Sequence, residues 1–148
     1  MLRYFLAVLL AAPLVAGCLT SRTSASGPVE WGSSFGMCVG YCSARLVVAD
    51  GTATLTETGT RSPELAPRVR TRALTPAETA RLAEARAASR VATDTLGCPD
   101  CADGGAEYVE AGGQRVIFEF GADAGGATPL AEALRAIRQT FPSDPSGL

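Results

Sequence analysis

Five cysteines are the residues of this 148-residue chain with the most chemistry to offer. Four of them form two tight pairs, Cys38 with Cys42 and Cys98 with Cys101. The fifth, Cys18, stands apart at the end of an apolar run. An even set of thiols in a small exported domain implies structural disulfides, because an oxidising compartment favours the bond and a small core profits from stapling. Four cysteines allow three connectivities, and spacing does not choose among them. A CxxxC followed by a CxxC also supplies the four thiolates of a tetrahedral zinc site, which makes zinc at Cys38, Cys42, Cys98 and Cys101 the metal alternative. The Cys98-Pro99-Asp100-Cys101 spacing is that of a redox motif. The acidic neighbours Asp100 and Asp103, however, disfavour the thiolate that such chemistry needs. Disulfides are the expectation, with no cofactor.

The missing residue types narrow the enzymology. The chain has no histidine, and all 13 of its basic residues are arginine. Ser-His-Asp and Cys-His catalysis, His-ligated catalytic zinc, Schiff-base and Ser-Lys mechanisms are therefore excluded. Carboxylates remain, among them Asp100, Asp103 and Glu107, but their spacing matches no regular calcium loop and reads as solvated charge. No catalytic residue is assigned. Arg68, Arg70 and Arg72 alternate along one strand-like stretch and so share a face. That face reads as wet and as a surface for an acidic partner. Trp31 and Phe35 beside the first cysteine pair read as packing over that pair or as an aromatic contact patch, with Trp31 a partner-contact candidate. Gly121 to Ala127 lacks the lysine of a phosphate loop and reads as a connector.

The first twenty residues explain why Cys18 stands apart. Arg3 is followed by an apolar stretch from Tyr4 to Ala16, about 13 residues, short of the roughly 20 needed to span a bilayer and broken by Pro13. This is the outline of a signal peptide. Val15-Ala16-Gly17-Cys18 resembles the bacterial lipobox, which implies cleavage before Cys18 and acylation of its thiol. Two or more acyl chains anchor a protein durably to a lipid bilayer. Leu19 after the cysteine implies the periplasmic face of the outer membrane. Beyond the cut, 12 arginines face 15 acids, a net charge of −3 that calls for no nucleic acid. The expected organisation is a signal peptide over 1–17, a small polar tether over 18–30, one domain over 31–142 and a frayed tail over 143–148.

The elements that must position the cysteines and charges follow from turn and cap chemistry. SARLVVADGTATLTET is two strands around Asp50-Gly51, a pair suited to the positive φ angles of a tight hairpin. A third strand is expected over Pro67 to Ala73. Thr75-Pro76-Ala77-Glu78 is a capping box with a first-turn proline and opens a helix from Pro76 to about Ser89. AEYVEA and QRVIFEF around Gly112-Gly113 give a second hairpin, with Val116, Phe118 and Phe120 on one face as core residues. Thr128-Pro129 opens a last helix, whose Leu130, Leu134, Ile137 and Phe141 form a stripe ended by Pro142. The fold class is α+β, in the order βββαββα, an antiparallel sheet with two helices packed on one face.

On these residues a resemblance can be placed. Cys38-Val39-Gly40-Tyr41-Cys42, the strand Leu46-Val47-Val48 and the Asp50-Gly51 turn resemble the Cys-x-Gly-x-Cys opening of an uncharacterised bacterial lipoprotein domain family. The resemblance covers about Phe35 to Phe141 and implies the same meander, capped helix, hairpin and terminal helix. This chain departs from it in carrying Ser43 where proline is common, and in the added loop from Gly97 to Gly105. In layout the chain also resembles emfourin-type metallopeptidase inhibitors, from which no residue role is carried over. The expected function is a membrane-anchored exported lipoprotein with a non-catalytic binding or inhibitor-like domain, its partner an envelope protein or peptidase. The alternatives are a structural or envelope-stress lipoprotein and a thiol-redox or zinc-binding periplasmic protein.

Overall fold

The computed structural model describes residues 27–59, 62 and 64–142. The expected signal peptide, Cys18, most of the expected tether and the expected tail lie outside the described residues. Seven strands form one sheet: β1 (Val29–Ser34), β2 (Ser43–Ala49), β3 (Thr52–Thr58), β4 (Arg68–Ala73), β5 (Asp94–Leu96), β6 (Ala106–Ala111) and β7 (Gln114–Glu119). Helix α1 (Pro76–Ala88) follows β4, and α2 (Thr128–Gln139) closes the domain. The fold is α+β, as expected. The strand order is β4-β3-β2-β1-β6-β7-β5, antiparallel throughout except for the parallel pair β5 and β7.

Two strands are additions to the expected order. β1, VEWGSS, is the central strand, paired with β2 on one side and β6 on the other. Its glycine and serines give it little strand propensity, and pairing on both edges supplies what propensity does not. It also moves the start of the domain to Val29, which is 1% exposed, two residues ahead of the expected Trp31. β5 is three residues long and finds its place only through β7.

The hairpins turn where expected. Asp50 and Gly51 have φ of 49° and 72°, and Gly112 and Gly113 have 60° and 77°, the backbone sign that a two-residue hairpin requires. The capping box of α1 forms as well: Thr75 Oγ1 accepts from the Glu78 amide at 3.2 Å, and Glu78 Oε2 accepts from the Thr75 amide at 2.8 Å. One face of the sheet carries the core, with Trp31, Leu46, Leu55, Val109 and Phe118 under Leu130, Leu134 and Ile137 of α2. The three α2 residues are the stripe read from spacing. Among the described residues no helix is long and apolar enough to cross a membrane.

The sheet has two unlike ends. At the Val29 end lie both two-residue turns; at the Ser34 end lie the longer connections 35–42, 59–67, 97–105 and 120–127. Helix α2 runs across the strands, since Arg135 bonds Glu107 on β6, Arg138 bonds Glu57 on β3, and Thr140, just past its end, accepts from Arg72 on β4. Helix α1 packs beside α2 towards the turn end, where Arg86 donates to the Gly27 carbonyl at 2.7 Å. Two helices placed this way leave a strip of the core face uncovered at the loop end.

Candidate ligand cleft

That strip is an open cleft of about 500 Å3. Its floor is one row across four strands. Glu57 on β3 pairs with Ala44 on β2, Ala44 with Ser33 on β1, and Ser33 with Glu107 on β6. Three strand spacings of about 4.8 Å put the two glutamate backbones about 14 Å apart, with two small side chains between them. Each glutamate occupies a position where its strand otherwise points apolar groups inward: Ala53 and Leu55 precede Glu57, and Val109 follows Glu107.

Arginines from α2 answer both carboxylates. Glu107, 3% exposed, accepts from Arg135 Nε at 2.9 Å and from the same guanidinium's Nη2. Arg135 Nη2 also donates to the Ala122 carbonyl at 3.1 Å. Glu57 accepts from Arg138 Nη2 at 2.9 Å through one oxygen and from Arg70 through the other. Arg135, Arg138 and Gln139 sit at i, i+3 and i+4, so they form one flank of the helix and one wall of the cleft. Both cleft carboxylates are thus held by guanidinium groups.

The facing wall is aromatic. Phe35 and Phe120 meet at a tilt with centroids 4.5 Å apart, and Tyr41 lines the same side; Phe120, expected in the core, lies past the end of β7 and is 47% exposed. Gly105 brings them together: its φ is +85°, its carbonyl accepts from the amides of Phe120 and Asp100, and an added Cβ would run into the Phe35 ring. Trp31, 5% exposed, lines the cleft, and its Nε1 is buried without a hydrogen-bond partner among the described residues. A buried donor with no acceptor is rare in folded proteins.

The cysteines sit beside this wall in two local pairs. Cys38 and Cys42 are bonded with Cα atoms 5.5 Å apart, and Cys98 and Cys101 with Cα atoms 5.4 Å apart. The connectivity left open by spacing is thus the short-ring one. Among the described residues no group of three or more Cys, His, Asp or Glu is placed to hold a metal ion, and the four sulfurs do not converge as a zinc site would need. The Cys38–Cys42 bridge orders the Tyr41 side of the cleft. Cys42 is 2% exposed, its carbonyl accepts from the Phe35 amide, and its amide donates to the Thr58 carbonyl. The Asp100 and Asp103 carboxylates both lie against Gly36, which sets the second disulfide loop next to the first.

The β4 arginines differ from expectation. They do share a face, but it is the core face rather than a wet one, because Arg72, Arg70 and Arg68 pair with Ala53, Leu55 and Glu57 of β3. Arg72 bonds Glu78 at 2.6 Å and Thr140, Arg70 bonds Glu57 and the Pro142 carbonyl, and Arg68 lies 3.9 Å over the Tyr41 ring. They close the edge of the core around the end of α2 instead of presenting free guanidinium groups. Arg72 holds the Glu78 carboxyl down at about 2, helped by the Thr75 amide. Of the residues singled out in sequence, Trp31, Phe35, Cys42, Glu107 and Phe120 line the cleft, while Arg68, Arg70 and Arg72 do not.

A second polar network occupies the bare face of the sheet. Tyr108 lies across Gly32, its cross-strand partner, so closely that no side chain fits beneath the ring. Its hydroxyl donates to Glu30, which also pairs with Arg45, and Arg115 covers the ring at 4.3 Å. Burial and the Glu30 carboxylate push the Tyr108 phenol up to about 12. Burial works to raise the Glu30 carboxyl, but the hydrogen bonds from Arg45 and Tyr108 outweigh it and hold it below its ordinary range.

Sequence reasoning missed this cleft, passing over Glu57, Arg135, Arg138 and Gln139 and taking Glu107, which is 3% exposed, as solvated charge; two signals could have found it. One is a glutamate in the apolar phase of β3 and of β6; the other is the Arg135, Arg138, Gln139 flank beside the α2 stripe. Comparison with protein families, with curated proteins and with solved structures returns no match to this chain. The geometry therefore carries the functional reading: an α+β domain whose loop end forms a cleft with one aromatic and one arginine wall.

Proposed function

We propose that this chain is an exported lipoprotein, anchored through acyl groups on Cys18 at the periplasmic face of the outer membrane. Its domain is a non-catalytic binding module that takes its partner in the loop-end cleft. The observation that carries the reading is the cleft's position. The chain enters the sheet at Val29, on the turn end, and the cleft opens at the far end of the same strand, so a leash on the first points the second away from the bilayer. Paired carboxylates, local disulfides and the lack of histidine and lysine favour recognition over turnover. The Cys-x-Gly-x-Cys resemblance to a lipoprotein domain family agrees with it.

Two measurements in cells test the reading. Wild type is expected in the membrane fraction and Cys18→Ala in the soluble one; a soluble wild type sinks the anchor. A photo-reactive phenylalanine at Phe120, on the cleft rim and 47% exposed, is expected to crosslink a discrete partner. Ala44→Trp, which fills the floor, should abolish the adduct while leaving circular dichroism unchanged. An adduct that survives Ala44→Trp, or none at all, overturns the cleft as binding site.

A further inference from the structure

The cleft's lining includes several unmet hydrogen-bond donors. Trp31 Nε1 is buried and unpartnered. Among the described residues, Nη1 of Arg135 and Nε and Nη1 of Arg138 make no hydrogen bond, because each guanidinium spends its other nitrogens on a glutamate. Three of the four glutamate oxygens are occupied in return, Glu107 Oε1 being the exception among the described residues. Both oxygens of Glu57 are taken, and Glu107 accepts twice through Oε2. A cation or a donor-rich ligand would meet two guanidinium groups and, of the carboxylate oxygens, only Glu107 Oε1 to accept its hydrogens, whereas an acceptor-rich anion would meet three sources of N–H. Opposite the arginine flank, Phe35, Tyr41 and Phe120 offer ring faces and edges, and the small side chains of Ser33 and Ala44 leave the floor empty. The size, about 500 Å3, is that of a site for a small organic molecule or the end of a chain.

The geometry points to a carboxylate borne on an apolar body as the ligand. Its oxygens meet Trp31 Nε1 and the unused nitrogens of Arg135 and Arg138, and its apolar part lies against Phe35, Tyr41 and Phe120. This chemistry is presented by the C-terminal residue of a peptide and by a free arylalkyl acid. The inference rests on the reading of the cleft as the binding site and adds what the site selects.

The chain carries its own reporter, since Trp31 is its only tryptophan. The full chain in detergent is titrated with three probes while Trp31 emission is followed: N-acetyl-Leu-Phe, the same dipeptide as its C-terminal amide, and phenylbutyrate. Saturable emission changes are expected with the acids, and the amide should bind about tenfold more weakly or worse, the loss that accompanies one charge-assisted hydrogen bond. Arg138→Gln, at a partly exposed side chain whose removal leaves Arg70 on Glu57, should weaken the acids about tenfold and leave the amide unchanged. Tighter binding of the dipeptide identifies a peptide C-terminus as the source, and tighter binding of phenylbutyrate a free acid. Equal affinity for acid and amide overturns the carboxylate inference while the cleft stands as a binding site. Silence of Trp31 with all three probes overturns it too, and the Phe120 crosslink then decides separately whether the cleft binds anything.

Discussion

Replacing Arg135 by leucine strands a carboxylate. Glu107 is 3% exposed and its hydrogen bonds come from Arg135 Nε and Nη2, so the variant leaves a charge in a nearly dry site with no partner of opposite sign. Removing one member of a buried ion pair costs about 3–5 kcal/mol. The Arg135 side chain is 23% exposed, so some water reaches the site, and the lower value, about 3 kcal/mol, is the expectation. For a domain of this size that is a fall in melting temperature of about 12 °C, at roughly 4 °C per kcal/mol. The double variant Arg135→Leu with Glu107→Leu removes both charges and puts apolar volume beside Phe118 and Trp31. It should return to within about 1 kcal/mol of wild type, since a buried pair and its apolar replacement are close in energy. Urea unfolding followed by Trp31 emission gives the four corners of the cycle, with an expected coupling of about 2 kcal/mol or more. A single variant within about 1 kcal/mol of wild type, or a double variant less stable than the single, refutes the idea that this pair is a sealed part of the cleft.

Three further outcomes follow from the geometry. Gly32→Ala pushes a methyl into the Tyr108 ring and should cost about 1–3 kcal/mol, as overpacking does; with the ring lifted off Glu30, the phenol should titrate nearer its ordinary 10.0 than about 12. An unmoved phenol with unchanged stability would show that the ring does not need the glycine. Glu78 is held at about 2 in the folded chain against an ordinary 4.5, so the stability that it adds is present above pH 4.5 and lost as pH falls towards 2. Melting temperature should drop through that window, and the drop should be shallower in Glu78→Gln; parallel curves would rule the pair out as a contributor. Intact mass before and after reduction should differ by four hydrogens, two for each disulfide, and alkylation of the native protein should label none of Cys38, Cys42, Cys98 and Cys101. Four reactive thiols would contradict the pairing.

Local chemistry made much of the fold readable. Asp50-Gly51 and Gly112-Gly113 can take φ angles that other dipeptides resist, Thr75 and Glu78 satisfy each other's amides, and Leu130, Leu134 and Ile137 recur at the helical period. These signals lie within a few residues of one another. β1 does not have one: VEWGSS becomes the centre of the sheet because β2 and β6 both pair with it, and that pairing spans more than seventy residues on the β6 side. The β4 arginines show the same limit. Alternation put Arg68, Arg70 and Arg72 on one side of a strand, but only the register with β3 says which side. Glu57, Ala44, Ser33 and Glu107 form a row through three separate strand registers, so no short window of sequence contains the site. The reading of Glu107 as solvated charge missed the anomaly, a charge at an inward position of each of two strands.

The unlike ends of the sheet bear on how such a domain can change over time. The turn end is built from two-residue hairpins whose φ angles tolerate few residues, and from the contacts of α1. The loop end is built from connections of eight or nine residues, of which 35–42 and 97–105 are each closed locally by a disulfide. A loop closed on itself can be rewritten between its pins without disturbing strand register, because loop length costs little and the disulfide keeps the ends in place. Exposed positions such as Val39, inside the first ring, can therefore change while the folding of the sheet is inherited unchanged. The same partition makes the loop end the place to graft a new specificity by design.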